Sequence, residues 1–179
     1  MERSSVRFQR LFKLPFLVPE VSYRTEKRFP TQEEYMQIRE FPVGMWPTID
    51  MIELITGQEL PVDLLHNPHI HRLRQLACYC VIMVNDFFSA HKEHISGDVF
   101  NQVLIIQHER GCTLDEARAE LLKMHDNYKN EFLSLRLNLP PFGTYHQLVT
   151  AYLRELEAQV IGHLNWYLFD TERYKYNIL

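Results

Sequence analysis

The sequence predicts an all-α fold, and three observations carry that expectation. Glycine occurs only six times in 179 residues. No Asn-Gly or Asp-Gly pair is present to close a β-hairpin. Thr31 with Glu34 and Thr113 with Glu116 have the spacing of helix-opening capping boxes. No internal repeat, low-complexity segment or shift in composition divides the chain. Residues 1–179 therefore read as a single domain of long helices with short connections.

Taken in order, the first thirty residues are mixed, with Pro15, Pro19 and Pro30 interrupting any long helix. Thr31 opens a helix that runs through Tyr35 to about Arg39, and Pro42 and Gly44 break it. A second helix is expected over Pro47 to Thr56, stopped by Gly57. Pro61 and Pro68 bracket a short helical piece. The longest helix is expected from about His69 to Ile95, ending near Gly97. Another follows from Asp98 to Arg110, closed by Gly111. Thr113 opens one that lasts to about Leu137. Pro140, Pro141 and Gly143 form a loop, and the last helix covers about Thr144 to Phe169.

Hydrophobic residues make up 46% and charged residues 23% of the chain, which is the balance of a soluble globular protein. A net charge of -4 with scattered basic residues argues against a nucleic-acid binder. No apolar run reaches the roughly 18 residues of a membrane span. The N-terminus lacks the apolar core and small-residue cleavage site of a signal peptide. Cys78, Cys80 and Cys112 form neither a disulfide framework nor a zinc spacing. On a helix, Cys78 and Cys80 point about 200° apart. Reduced, buried cysteines in a cytoplasmic protein are the expectation.

The most informative stretch runs from Val84 to Glu93 and follows the apolar run CYCVIMV. Asn85, Ser89 and Glu93 are spaced i, i+4, i+8 and drift only about 40° per step, so they share one helix face. Lys92 falls on that face too. A polar triplet at the end of a buried helix needs partners. Mg²⁺ is one, because it takes oxygen ligands and keeps waters and phosphate oxygens. Lys92 suits a phosphate as a point charge. The competing reading is a helix face that leaves the core and meets water.

The same residues resemble the magnesium motif of class I terpene synthases, Asn-Asp-x-x-Ser-x-x-x-Glu. The match includes Asp86 after the Asn and Lys92 before the Glu, the form usual in bacterial members. Two further elements resemble that family in the right order. Pro30-Thr31-x-x-Glu34-Tyr35-x-x-x-Arg39 is similar to the helix whose Arg senses the diphosphate, and Arg39 stands 46 residues ahead of Asn85. Near the C-terminus, the stretch from Trp166 to Tyr174 resembles the late Arg-Tyr pair of the family. The resemblance spans about Thr31 to Tyr174. It implies a class I terpenoid synthase helical bundle with Mg²⁺ held by Asn85, Ser89 and Glu93. It further implies a prenyl diphosphate of geranyl or farnesyl type, contacted by Arg39, Lys92, Arg173 and Tyr174. Asp86 is implied as a neighbour that orients another group or a water. The implied reaction is loss of diphosphate followed by carbocation cyclisation, and no residue is identified as a general base.

The second, aspartate-rich metal motif of the family has no counterpart, because no Asp-Asp pair occurs anywhere. The resemblance thus implies the C-terminal portion of the catalytic α-domain without its aspartate-rich half, a partial bundle. Such a half barrel is expected to expose apolar surface. A second chain or a second copy covering it follows, as does the alternative of a non-catalytic helical interaction module or a truncated inactive synthase. A zinc reading of His91, Glu93 and His94 lacks the His-Glu-x-x-His spacing. His66, His69 and His71, beside Pro68, are read as solvated loop residues.

Overall fold

Thr31 and Thr113 cap their helices as the spacing to Glu34 and Glu116 requires. In each box the threonine hydroxyl accepts the backbone N–H three residues on, and the glutamate accepts the threonine N–H. The computed structural model describes residues 17–174, and no strand occurs among them. In chain order the helices are α1 (Leu17–Glu26), α2 (Gln32–Arg39), α3 (Met45–Thr56) and α4 (Val62–Leu65). They continue with α5 (Pro68–Ile95), α6 (Gln102–Arg110), α7 (Leu114–Leu137) and α8 (His146–Asn165). A 3-10 turn, Gly143–Tyr145, leads into α8, and a π turn, Trp166–Asp170, follows it.

The 28-residue α5 is the axis of the assembly. Asn67 caps it by accepting the N–H groups of His69 and Ile70, and Pro68 occupies the first turn, where a missing N–H does no harm. Cys78 and Cys80 face nearly opposite ways, yet both are buried. Leu73, Leu76, Ile82 and Met83 are closed off with them. The helix is therefore covered on several sides at once, chiefly by α7 and also by α8, α6 and α3. That enclosure is why CYCVIMV shows no polar stripe. Each such buried Leu or Ile contributes roughly 1.5–3 kcal/mol. Burial also pushes the Cys80 thiol up to about 12 and raises Cys78, so both stay protonated.

Three helix boundaries and one loop reading differ from the sequence expectation. The helix expected from Asp98 begins at Gln102, because Asp98 turns its carboxylate back onto the N–H groups of Val99 and Phe100. Asn101 then supplies the cap, accepting the Val103 N–H at 2.8 Å. The helix expected from Pro47 begins at Met45 behind Gly44, whose φ of 80° lies in the left-handed region. The last expected helix divides into the 3-10 turn, α8 and the π turn. His69 and His71 belong to the first turns of α5 rather than to a loop. There His69 Nε2 pairs with the Leu135 carbonyl at 2.9 Å and His71 packs on Trp46.

Several large apolar side chains remain in solvent. Leu54 is 70% and Ile55 73% exposed on α3, Leu137 is 83% exposed at the end of α7, and Phe169 is 71% exposed in the π turn. On α8, Ile161 is exposed as well. No helix among the described residues is long and apolar enough to cross a membrane.

Candidate functional site

The C-terminal half of α5 carries two polar faces with different surroundings. Asp86 points inward and is 1% exposed. Its Oδ2 accepts the Tyr35 hydroxyl of α2 at 2.6 Å and the Gln102 N–H of α6 at 2.9 Å. One carboxylate thus ties three helices together, and it sits at the positive N-terminal end of α6. Burial pushes its pKa up to about 6, against the pull of Arg39, Tyr35 and the Gln102 N–H. The same burial drives the Tyr35 hydroxyl well above its ordinary range.

Asn85, Ser89 and Glu93 form the other face. Asn85 Oδ1 accepts Arg39 Nη2 at 3.0 Å, and Asn85 Nδ2 donates to the Tyr167 hydroxyl at 2.6 Å. Ser89 Oγ and Glu93 Oε2 both accept from the Asn101 side-chain amide, at 3.1 Å and 2.8 Å. Burial raises the Glu93 carboxyl, and the Asp98 charge adds to it, while Asn101, Ser89 and Arg39 work the other way. The water-facing reading of this stripe does not hold for Ser89, which is 2% exposed.

Arg39 ends α2 beside these oxygens. Burial opposes its charge, but Tyr35, Asp86, Glu20 and Glu93 outweigh that penalty and raise its pKa. Its Nη2 is spent on Asn85, whereas its Nε is buried without a hydrogen-bond partner. A buried guanidinium N–H left unpaired is a donor that an anion would satisfy.

The other residues singled out from the sequence are placed less closely. Tyr174 is 5% exposed and packs on Tyr167, with ring centroids 5.2 Å apart, so it joins the stripe through Tyr167. Phe88 stacks on Tyr167 with ring centroids 4.7 Å apart. Arg173 is exposed, with its guanidinium 5.4 Å over the Tyr174 ring. Lys92 is exposed at the outer rim of α5. His91 and His94 build no three-ligand cluster with Glu93 among the described residues.

Asn101, Tyr167, Tyr35 and Gln102 are the site residues that sequence reasoning left unassigned. A signal existed for two of them. Tyr35 precedes Arg39 by four residues and shares its helix face. Asn101 is an Asn directly before an apolar helix, a cap signature. Gln102 acts through its backbone N–H, and Tyr167 depends on the π turn; neither shows in a residue pattern.

The sequence pattern of terpene synthase family 2, C-terminal metal binding, matches residues 7–131. The chain belongs to this family. It is 30% identical over 166 residues to pristinol synthase of Streptomyces pristinaespiralis, covering 88% of this chain and 44% of that protein. It is 28% identical over 155 residues to (+)-eremophilene synthase of Sorangium cellulosum, covering 87% of this chain and 46% of that one. The crystal structure of 2-methylisoborneol synthase from Streptomyces coelicolor A3(2), solved with Mg²⁺ and geranyl-S-thiolodiphosphate, superposes with a TM-score of 0.80 at 26% identity. That match covers 97% of this chain and 54% of the synthase. The chain thus spans about half the length of the relatives it matches.

Proposed function

We propose that this chain supplies the C-terminal half of a Mg²⁺-dependent class I terpene synthase site in a cytoplasmic protein. In this reading Asn85 Oδ1, Ser89 Oγ and Glu93 hold one Mg²⁺. Arg39, Lys92, Arg173 and Tyr174 take the diphosphate of a geranyl- or farnesyl-type substrate. The observation that carries it is Arg39, whose buried Nε has no partner while its Nη2 lies on one of the three candidate ligand oxygens. The donor set fits the ion, since amide, hydroxyl and carboxylate oxygens suit a hard cation. When bound, Mg²⁺ neutralises charge that develops on the leaving diphosphate.

The chain's own residues do the rest. Arg39 Nε and the exposed Arg173 donate to diphosphate oxygens, which favours breaking the allylic C–O bond with the electron pair leaving on the diphosphate. Tyr167 holds Asn85 by its amide, so that Oδ1 stays turned toward the shared face. A second chain, or a second copy of this one, covers the exposed apolar side chains and completes the enclosure that a carbocation needs. Those exposed side chains also favour a second reading, a helical interaction module without catalysis.

Thermal melting separates the two. A ligand that binds only the native state raises its melting temperature. The synthase reading expects pyrophosphate with Mg²⁺ to raise it in the unaltered chain and not in Asn85→Ala or Glu93→Ala. An unchanged rise in Glu93→Ala would sink the assigned metal site.

A further inference from the structure

Asn101 lies at the start of α6, eight residues beyond Glu93, with its side chain fully enclosed. Its Oδ1 accepts the Val103 N–H at 2.8 Å, which settles which end of the amide is oxygen. The Nδ2 group must then face the other way. There it donates to Glu93 Oε2 at 2.8 Å, to Ser89 Oγ at 3.1 Å and to the Asp86 carbonyl at 3.1 Å. Helix capping alone uses only the oxygen. The amide nitrogen is directed onto two of the three candidate ligand oxygens.

We infer that Asn101 is a positioning residue for the metal site, holding Ser89 and Glu93 in their ligating posture through its side-chain amide. The inference rests on the functional reading above. Ser89 Oγ accepts one hydrogen bond from Asn101 and keeps a second lone pair for a cation. Glu93 keeps the rest of its carboxylate free in the same way. The amide carries no charge, so it orients the two oxygens without competing for the positive site. The junction also links α6 to α5, because the same side chain that starts one helix sets the ligands of the other. Outer partners of ligating groups typically change metal affinity by about 10–100-fold when removed.

Asn101→Ser tests this, because Ser keeps the cap acceptor and loses the amide donor. Mn²⁺ serves as the probe, followed by electron paramagnetic resonance on the full chain, with pyrophosphate present. The unaltered chain is expected to bind Mn²⁺, and Glu93→Ala is expected to lose it. Asn101→Ser is expected to keep its helical circular dichroism, to bind about 10–100-fold more weakly, and to return the Mn²⁺ signal toward that of the free hydrated ion. Binding within twofold of the unaltered chain would reduce Asn101 to a helix cap, and tighter binding would make it an obstruction; either overturns the inference and leaves the functional reading intact. Absence of Mn²⁺ binding in the unaltered chain would overturn both. Should Asn101→Ser fail to fold, nuclear magnetic resonance of the unaltered chain decides. The Asn101 side-chain amide is expected to shift during Mg²⁺ titration and to remain protected from exchange, and an amide that does not respond overturns the inference.

Discussion

Asp86 sets the sharpest residue-scale test, because its carboxyl is buried yet bonded to both Tyr35 and Gln102. Its pKa rises from 3.8 in the unfolded chain to about 6 in the fold. Between those values the folded protein binds more protons than the unfolded one. The stability this gives is full below about pH 4 and is lost as the pH climbs through about 6, a change on the order of 2–3 kcal/mol. Asp86→Asn retains a single oxygen that accepts from both partners and does not ionise. Urea denaturation from pH 4 to pH 7 should therefore show the unaltered chain losing stability relative to Asp86→Asn. Parallel curves would contradict the account. Asp86→Ala is expected to cost more, about 2–4 kcal/mol at pH 4, since it strands the Tyr35 hydroxyl and the Gln102 N–H in the core.

At the scale of elements, capping decides where helices begin. Thr113→Ala removes the hydroxyl that accepts the Glu116 N–H and should cost about 1 kcal/mol, seen as a melting temperature lower by roughly 2–4 °C. No change would mean that packing of α7 on α5 alone fixes that start. The caps at Thr31 and Thr113 are legible in the sequence because both bonds join residues three apart. The start of α6 is not, since Asp98 and Asn101 are both good caps. The choice depends on Asp98 also meeting Arg24, 74 residues away, and on Asn101 reaching back to Glu93. That Asn85, Ser89 and Glu93 share one face was legible from helical periodicity, while their proposed role as metal ligands came from the family resemblance. Tyr167 was not, because a π turn shifts its register and no residue pattern announces that turn.

For the whole molecule, the central feature is a long enclosed helix, α5, in an assembly that leaves several large apolar side chains in water. Leu54 and Ile55 on α3 and Ile161 on the adjoining α8 are exposed large apolar side chains of the kind that a partner surface covers. If a second copy covers them, sedimentation of the unaltered chain should show a species larger than 21.5 kDa, and Leu54→Glu with Ile55→Glu should disperse it. A single 21.5 kDa species before any substitution would contradict the self-association form of the proposal. Exposed apolar side chains were expected from the partial bundle that the resemblance implied, given that no Asp-Asp pair occurs in the sequence. Which residues carry it was not, because amphipathic helices bury one face against partners that the sequence does not name.

Calorimetric titration of the purified chain with pyrophosphate, with and without Mg²⁺, tests the central claim most directly. The account predicts saturable binding that requires Mg²⁺ and that weakens at least tenfold in Arg39→Gln, where the unpaired Nε is gone. No binding, or equal binding without Mg²⁺, would contradict it and leave the interaction module as the reading of this chain.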